Sequence, residues 1–520
     1  MMQAVEARPL TGEEYLESLR DGREVYIHGE RVRDVTRHPA FRNAARSVAR
    51  LYDSLHDPAY REVLTGLDRF GILTHKFFKP SYTPQELMEA REAIATWARF
   101  SYGFMGRTPD YKAAFMATLG AAPEFYAPFE ANAARWYREY ASRVLFLNHC
   151  LVNPPVDRHR MAHEVGDVFV RVVKETDGGI VVSGAKMLAT ASALTHATFV
   201  AQNSASAAML ERGKAEDFAV VFIAPMDTRG QKLISRPSYE QKADSPFDYP
   251  LSSRFDENDA VLIFDNAFIP WENVLVYRDV EKAQKFYAAS GFFNRYNFQA
   301  STRLGVKLDF MCGLLARGLA ANGTEGFRGV QALLGEVVAW RNLVWAMTAA
   351  MALDPEPGPG GSVIPRLEYA AAARLFATLA WPRVKEIFEL LLGGSLVYTV
   401  SSYRDLQSEE LGPVIERFYR GTGLPARERI KLFKLAWDAI GSEFGGRHEL
   451  YERNYSGNHE QVRLDVVSFA RQRGLMDRFI RLVDQCLGEY DVDGWKVPWW
   501  SWDADRADGR TAGSGRPANG

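Results

Sequence analysis

Apolar residues recur at three- and four-residue intervals through the first quarter and the last half of the chain, and alternate with polar ones between those regions. Leu87, Ala90, Ile94 and Trp97 follow Thr83, a hydroxyl suited to capping, and Pro84, whose fixed φ suits a first turn; residues 111–119 continue in the same period. Residues 1–144 are therefore predicted to form an N-terminal helical domain. The period then becomes two. Val168, Val170 and Val172 alternate, 180–184 follow an Asp-Gly-Gly turn, and 219–224 form a short apolar run before Pro225 and a turn at 227–230. A further run, 260–269, ends at Pro270. Several short strands at this spacing predict a middle β-barrel or sandwich over 145–278.

From 279 to 502 the helical period returns, clearest at Leu333, Val337, Trp340, Val344, Met347 and Met351, a stripe about 30 Å long at about 1.5 Å per residue. A Pro/Gly-rich break at 354–365 separates it from 366–392, where Pro382 predicts a kink; further helices are expected at 427–440 and 475–489. This part reads as a C-terminal helical bundle. Residues 503–520 are rich in Gly, Ala, Arg and Asp without an apolar period and are expected to be a disordered tail. Helices and strands are segregated along the chain, which defines an α+β fold.

Composition narrows the partners. The 520 residues carry 63 Lys+Arg against 65 Asp+Glu, a net charge of −2, so no long-range field would gather nucleic acid or an anionic membrane. A small molecule is the expected partner. Cys150, Cys312 and Cys486 are odd in number and far apart, which argues against a disulfide framework or a metal site and fits a reducing cytoplasm. The start, Met1 to Leu10, lacks a basic segment followed by an apolar run, and no stretch of about 18 uncharged apolar residues occurs. A soluble cytoplasmic protein is expected.

Candidate chemistry lies in two segments. Residues 106–111 read Gly-Arg-Thr-Pro-Asp-Tyr, and 148–158 read Asn-His-Cys-Leu-Val-Asn-Pro-Pro-Val-Asp-Arg. Arg107, Tyr111 and His149 are the residue types that would handle a phenol. A guanidinium beside the oxygen favours the phenolate, which pushes electron density onto the ortho carbon; a tyrosine hydroxyl and an imidazole N–H fix oxygens from other sides. The competing reading is an arginine capping a neighbouring helix, a packed tyrosine and a structural histidine. The prolines at 154–155 predict an extended backbone. Residues 186–195 end a strand and bring short hydroxyls, among them Thr190 and Ser192. Gln202 to Asp217 reads as a long mobile loop. Arg447 to Gly457 mixes charge with aromatic rings and ends at a glycine able to admit a close backbone approach, the alternative being helix ion pairs among Arg447, Glu449, Glu452 and Arg453. No Gly-x-Gly-x-x-Gly follows a strand, so a Rossmann half is not supported.

These segments, with 245–259 (SPFDYPLSSRFDEND) and 441–457 (GSEFGGRHELYERNYSG), resemble the oxygenase component of two-component 4-hydroxyphenylacetate 3-monooxygenases, and the likeness runs from Arg8 to about Trp495. The resemblance implies an acyl-CoA dehydrogenase-like fold and ortho-hydroxylation of a para-substituted phenol to a catechol, using O2 and reduced FAD made by a separate flavin reductase. It implies that Arg107, Tyr111 and His149 hold the phenol. It also implies that His149, Pro155, Val156, Asp157, Arg158, Thr190, Ser192, Tyr455, Ser456 and Gly457 contact the flavin, that Ser204 and Ala205 read the far end of the substrate, and that the protein is a homotetramer. The default substrate is 4-hydroxyphenylacetate, with coumarate-like and tyrosine-derived phenols next. Alternatives are a thioester-oxidising dehydrogenase of the same fold, whose carboxylate base the sequence does not single out, Glu336, Glu386 and Glu443 all reading equally as surface or interhelix carboxylates; an iron–sulfur dehydratase, for which the cysteines lack the spacing; and a scaffold that binds no flavin.

Overall fold

A computed structural model of the chain describes residues 8–455 and 457–501, without the side chains of Ser204, Tyr287 and Ala288. Ser456 and the expected tail at 503–520 therefore lie outside the described residues. Residues 1–459 form one compact unit and 460–520 a second.

In the first unit, Thr83 accepts from the Glu86 amide and Pro84 opens the helix Pro84–Arg99, so this start is the one the sequence predicts. The helix Arg328–Leu353 buries Val337, Val344 and Met351 of the predicted stripe. Leu367–Leu392 is one helix with Pro382 inside it. The break before it holds a short hairpin, Glu356–Pro357 with Val363–Ile364. At the centre lies the helix Phe292–Asn322, whose first seventeen residues, through Leu308, are all buried. Polar residues such as Asn297, Gln299, Arg303 and Lys307 sit there among apolar ones, so this half of the helix has no polar face and no period to betray it.

Two sheets occupy the middle of the chain. The larger has the spatial order Glu30–Val32, Glu24–Ile27, Gln231–Ser235, Ala260–Pro270, Gly179–Lys186 and Arg171–Thr176; the smaller runs Val274–Tyr277, Val220–Pro225, Ala197–Val200 and Leu147–Cys150. The mostly helical N-terminal region also contributes strands the pattern did not show. Glu24–Ile27 pairs in parallel with Gln231–Ser235, about two hundred positions away, with Val25 opposite Leu233. Strands of four and three residues are too short to show alternation above noise, and their partner is distant in sequence.

The second unit contains the helix Leu475–Gly488, on which Phe479, Ile480, Leu482, Val483 and Leu487 are at least half exposed, and the hairpin Tyr490–Asp491 with Gly494–Trp495.

Candidate active site

The helix Pro109–Ala121 is buried along its whole length, and Arg107 precedes its first turn. What holds Arg107 there is Glu257. Its carboxylate accepts the main-chain N–H of Gly106 and of Arg107, each at 2.6 Å, so the acid grips backbone and leaves the guanidinium without an ion pair among the described residues. Arg107 Nη1 donates to Tyr451 Oη at 2.5 Å, and the guanidinium lies 4.0 Å from the Tyr111 ring centre and 4.8 Å from that of Tyr451. A Cβ on Gly106 would sit 2.5 Å from Tyr451 Cζ, so only glycine admits the Tyr451 ring.

His149 comes from the strand Leu147–Cys150, paired opposite Phe199. Its ring stands 5.4 Å from Tyr111, 6.1 Å from Phe115 and 6.0 Å from Phe292, and its Nδ1 lies 3.3 Å from Lys112 Nζ. Burial, then the positive charges of Lys112 and Arg107, holds the imidazole well below its ordinary pKa, so it is neutral. Burial pushes the Tyr111 hydroxyl upward, so it keeps its proton. Arg107, Tyr111 and His149 thus share one place. Among the described residues Tyr111 Oη, His149 Nε2 and the remaining guanidinium N–H groups have no hydrogen-bond partner within the protein. That leaves a cation, a hydroxyl and one imidazole nitrogen free for a ligand oxygen.

A buried charge network frames this place. Glu452 pairs with Arg303 and, at 3.0 Å, with Lys307; Asp259 takes two N–H groups of Arg447 at 2.7 and 2.6 Å and one of Arg236 at 2.8 Å. Arg447 and Glu452 therefore tie the helix Glu443–Asn454 to other elements, and of the expected ion pairs within that helix only Glu449 with Arg453 forms. A cavity of about 20 Å³, room for one water, lies between Thr190, Arg236, Arg447, His448 and Tyr451.

The expected flavin contacts divide. Among the described residues Ser192 Oγ and Tyr455 Oη are buried and lack partners; Tyr455 stacks on Tyr451 at 5.2 Å and its ring centre is 6.0 Å from the Arg107 guanidinium. Gly457 has φ +104°. A ligand with ring carbonyls, ring nitrogens and a flat face fits such a set, because each unpaired buried polar atom costs about 1–3 kcal/mol until satisfied. Thr190 instead donates its hydroxyl to Asp259 at 2.7 Å. Pro155, Val156, Asp157 and Arg158 are exposed, and the stretch turns rather than extends: the Val156 amide donates to Pro154 O and Asp157 has φ +40°. A proline constrains the residue before it, and here the turn is centred on Pro155 itself. The segment read as a long loop after Gln202 is also corrected. It contains the helix Ser204–Ala208, capped by Asn203, and the Gln284 amide donates to Ala207 O and Leu210 O, so local and tertiary hydrogen bonds order it. Ala205 is exposed there.

Three contributors escape a reading of the sequence: Glu257, Tyr451 and Lys112. The first two lie inside the extended blocks 245–259 and 441–457, yet nothing local marks a glutamate that binds main chain 150 residues away or a tyrosine that receives Arg107. Lys112 follows Tyr111 directly but resembles any helix lysine. The carboxylates proposed as dehydrogenase bases are elsewhere: Glu336 and Glu386 both pair with Arg383, and Glu443 pairs with Lys242 at a side-chain exposure of 63%.

Helices, two sheets and a helical bundle, the arrangement of an acyl-CoA dehydrogenase-like fold, bring Arg107, Tyr111 and His149 together. Family models described as the 4-hydroxyphenylacetate 3-hydroxylase N terminal and C terminal match residues 11–276 and 283–484, and the chain belongs to this family. It is 57% identical over 500 residues, 96% of this chain and 99% of the other, to the pyoverdin chromophore biosynthetic protein PvcC of Pseudomonas aeruginosa. It is 53% identical to a 4-hydroxyphenylacetate 3-monooxygenase oxygenase component from the same organism, covering 95% and 96% of the two chains. The crystal structure of the oxygenase component (HpaB) of 4-hydroxyphenylacetate 3-monooxygenase complexed with FAD and 4-hydroxyphenylacetate superposes with a TM-score of 0.86 at 32% identity, covering 92% of this chain and 99% of that one.

Proposed function

We propose that this chain is the oxygenase component of a two-component monooxygenase that hydroxylates a para-substituted phenol ortho to its hydroxyl, giving a catechol. The observation that carries the reading is the meeting of Arg107, Tyr111 and His149 with donors uncommitted to the protein. The guanidinium charge favours the phenolate, and Tyr111 Oη–H and an imidazole N–H hold its oxygen, so the ring is oriented and its ortho carbon is electron-rich. Reduced FAD, delivered by a separate flavin reductase, supplies with O2 the electrophilic oxygen when bound. His149, Ser192, Tyr455 and Gly457 would hold it, together with Thr190 and the turn Pro155 to Arg158, and buried aromatic walls from Phe115 and Phe292 would keep water out. Ser204 and Ala205 read the para substituent, since Asn203 is tied to Leu151 O, two residues past His149.

The substrate is 4-hydroxyphenylacetate or a coumarate-like or tyrosine-derived phenol, which a panel of para-substituted phenols assayed for catechol would sort. Free Cys150, Cys312 and Cys486 favour the reducing cytoplasm, and no helix among the described residues is long and apolar enough to cross a membrane. Homotetramer formation is favoured by the exposed apolar positions on Leu475–Gly488, and light scattering tests it.

The deciding experiment replaces His149 and Arg107 separately with alanine. Catechol formation should fall by about a hundredfold, the scale of a positioned proton donor, while hydrogen peroxide released per reduced FAD rises. Unchanged coupling in both variants defeats the assignment.

A further inference from the structure

Lys112 is almost completely buried, with 1% exposure, on a helix that is buried along its whole length. A lysine so placed normally meets a carboxylate, because an uncompensated charge in the interior is costly. Among the described residues no carboxylate lies within ion-pair distance of it. Its one side-chain hydrogen-bond partner there is His149 Nδ1, at 3.3 Å; the Tyr111 ring centre is 5.2 Å away, and Arg107, Cys150 and Glu257 are near enough to act on its charge.

An ammonium has donors only, and a neutral imidazole has one donor and one acceptor. If Nζ donates to Nδ1, the ring proton must sit on Nε2, the nitrogen that has no protein partner. We propose that Lys112 is a positioning residue that fixes His149 as the Nε2–H tautomer, so that the imidazole presents a donor, never a lone pair, to the reacting oxygens. The amine is intrinsically the stronger base of the two by about four pKa units, so a proton shared between them stays on Nζ. Burial, then the Arg107 charge, lowers the Lys112 amine, and burial with the Lys112 and Arg107 charges lowers the imidazole. With the other tautomer, Nε2 could only accept a hydrogen bond from the phenol O–H, which keeps the proton on the substrate and favours the less reactive neutral phenol. Lys112 also explains why His149 needs no carboxylate or carbonyl to orient it, the usual arrangement for a histidine that must present one nitrogen.

The inference depends on the oxygenase reading only for its activity arm. Histidine-selective 15N spectra of the whole protein, with the His149 signals identified by their loss in His149→Gln, should show His149 protonated on Nε2. Lys112→Met should turn it to Nδ1–H or to a mixture. Catechol formed per reduced FAD should fall about tenfold in Lys112→Met, less than the full contribution of a positioned acid–base group, and Lys112→Arg, which keeps the donor, should recover part of it. In the His149→Gln background, where an amide N–H no longer depends on a tautomer, Lys112→Met should cost nothing further, the signature of two residues acting as one unit. A wild-type His149 protonated on Nδ1 overturns the proposal, and that measurement needs no variant at Lys112. An equal loss in both backgrounds overturns it too, because the lysine would then act by charge or by packing. A wild-type protein that makes no catechol from any phenol defeats the oxygenase reading instead, while the spectra still decide the tautomer.

Discussion

Replacing Glu452 with glutamine removes the anion that two buried cations share. The glutamate side chain is fully buried; it accepts both terminal nitrogens of Arg303, one at 2.8 Å, and Lys307 at 3.0 Å. Burial alone would raise the carboxyl pKa, but Arg303 and then Lys307 more than reverse this and leave it at about 2, against an ordinary 4.5. That displacement corresponds to about 3 kcal/mol of folding stability at neutral pH. Burial brings Lys307 down to about 8 against the pull of Glu452, so the permanently charged Arg303 is the dominant partner. Glutamine offers one acceptor oxygen and turns an NH2 group toward the other donors, and breaking a buried pair from one side costs about 3–5 kcal/mol. We expect a loss in that range at pH 7, read from urea unfolding as a lower midpoint at unchanged slope and at matched protein concentration. The folded pKa is depressed, so this contribution is complete above the unfolded carboxyl pKa and disappears as pH falls from about 4.5 through about 2. The gap between wild type and variant should close over that window. Adding Lys307→Met should recover part of the loss, since one fewer cation is stranded. A difference below about 1 kcal/mol at pH 7, or one that persists at pH 2, would refute the reasoning.

Two further outcomes follow from the packing around Arg107. Gly106→Ala puts a methyl group within 2.5 Å of the Tyr451 ring and must displace it from the arginine; we expect about 1–3 kcal/mol of destabilisation and weaker phenol binding, measured by thermal unfolding and by titration calorimetry. Tyr451→Phe keeps the ring but deletes the oxygen that receives Arg107 Nη1, so phenol Kd should rise about fivefold with the stack on Tyr455 retained, and an unchanged Kd would show that the tether is idle.

Much of the architecture was legible in one dimension, because helices and strands that bury one face must repeat at 3.6 or 2 residues. Thr83 with Pro84, the stripe from Leu333 to Met351 and the alternation at Val168 to Val172 are direct records of that requirement. The record fails where burial is complete or the element is short. The central helix Phe292–Asn322 is surrounded through its first half and so carries polar residues on every side, and the strand Glu24–Ile27 is defined by a partner two hundred residues on.

The sequence by itself determined which residue types were present for phenol chemistry, since Arg107, Tyr111 and His149 lie in two short segments whose composition suits it. Tertiary structure alone decided that they meet, that Glu257 holds the backbone and spares the guanidinium, that Tyr451 crosses about 345 positions to touch it, and that Lys112 stands behind His149. The reason is physical. A side chain's identity sets its intrinsic charge and donor count, but its pKa, its partners and the donors left over for a ligand depend on neighbours that sequence separation does not encode.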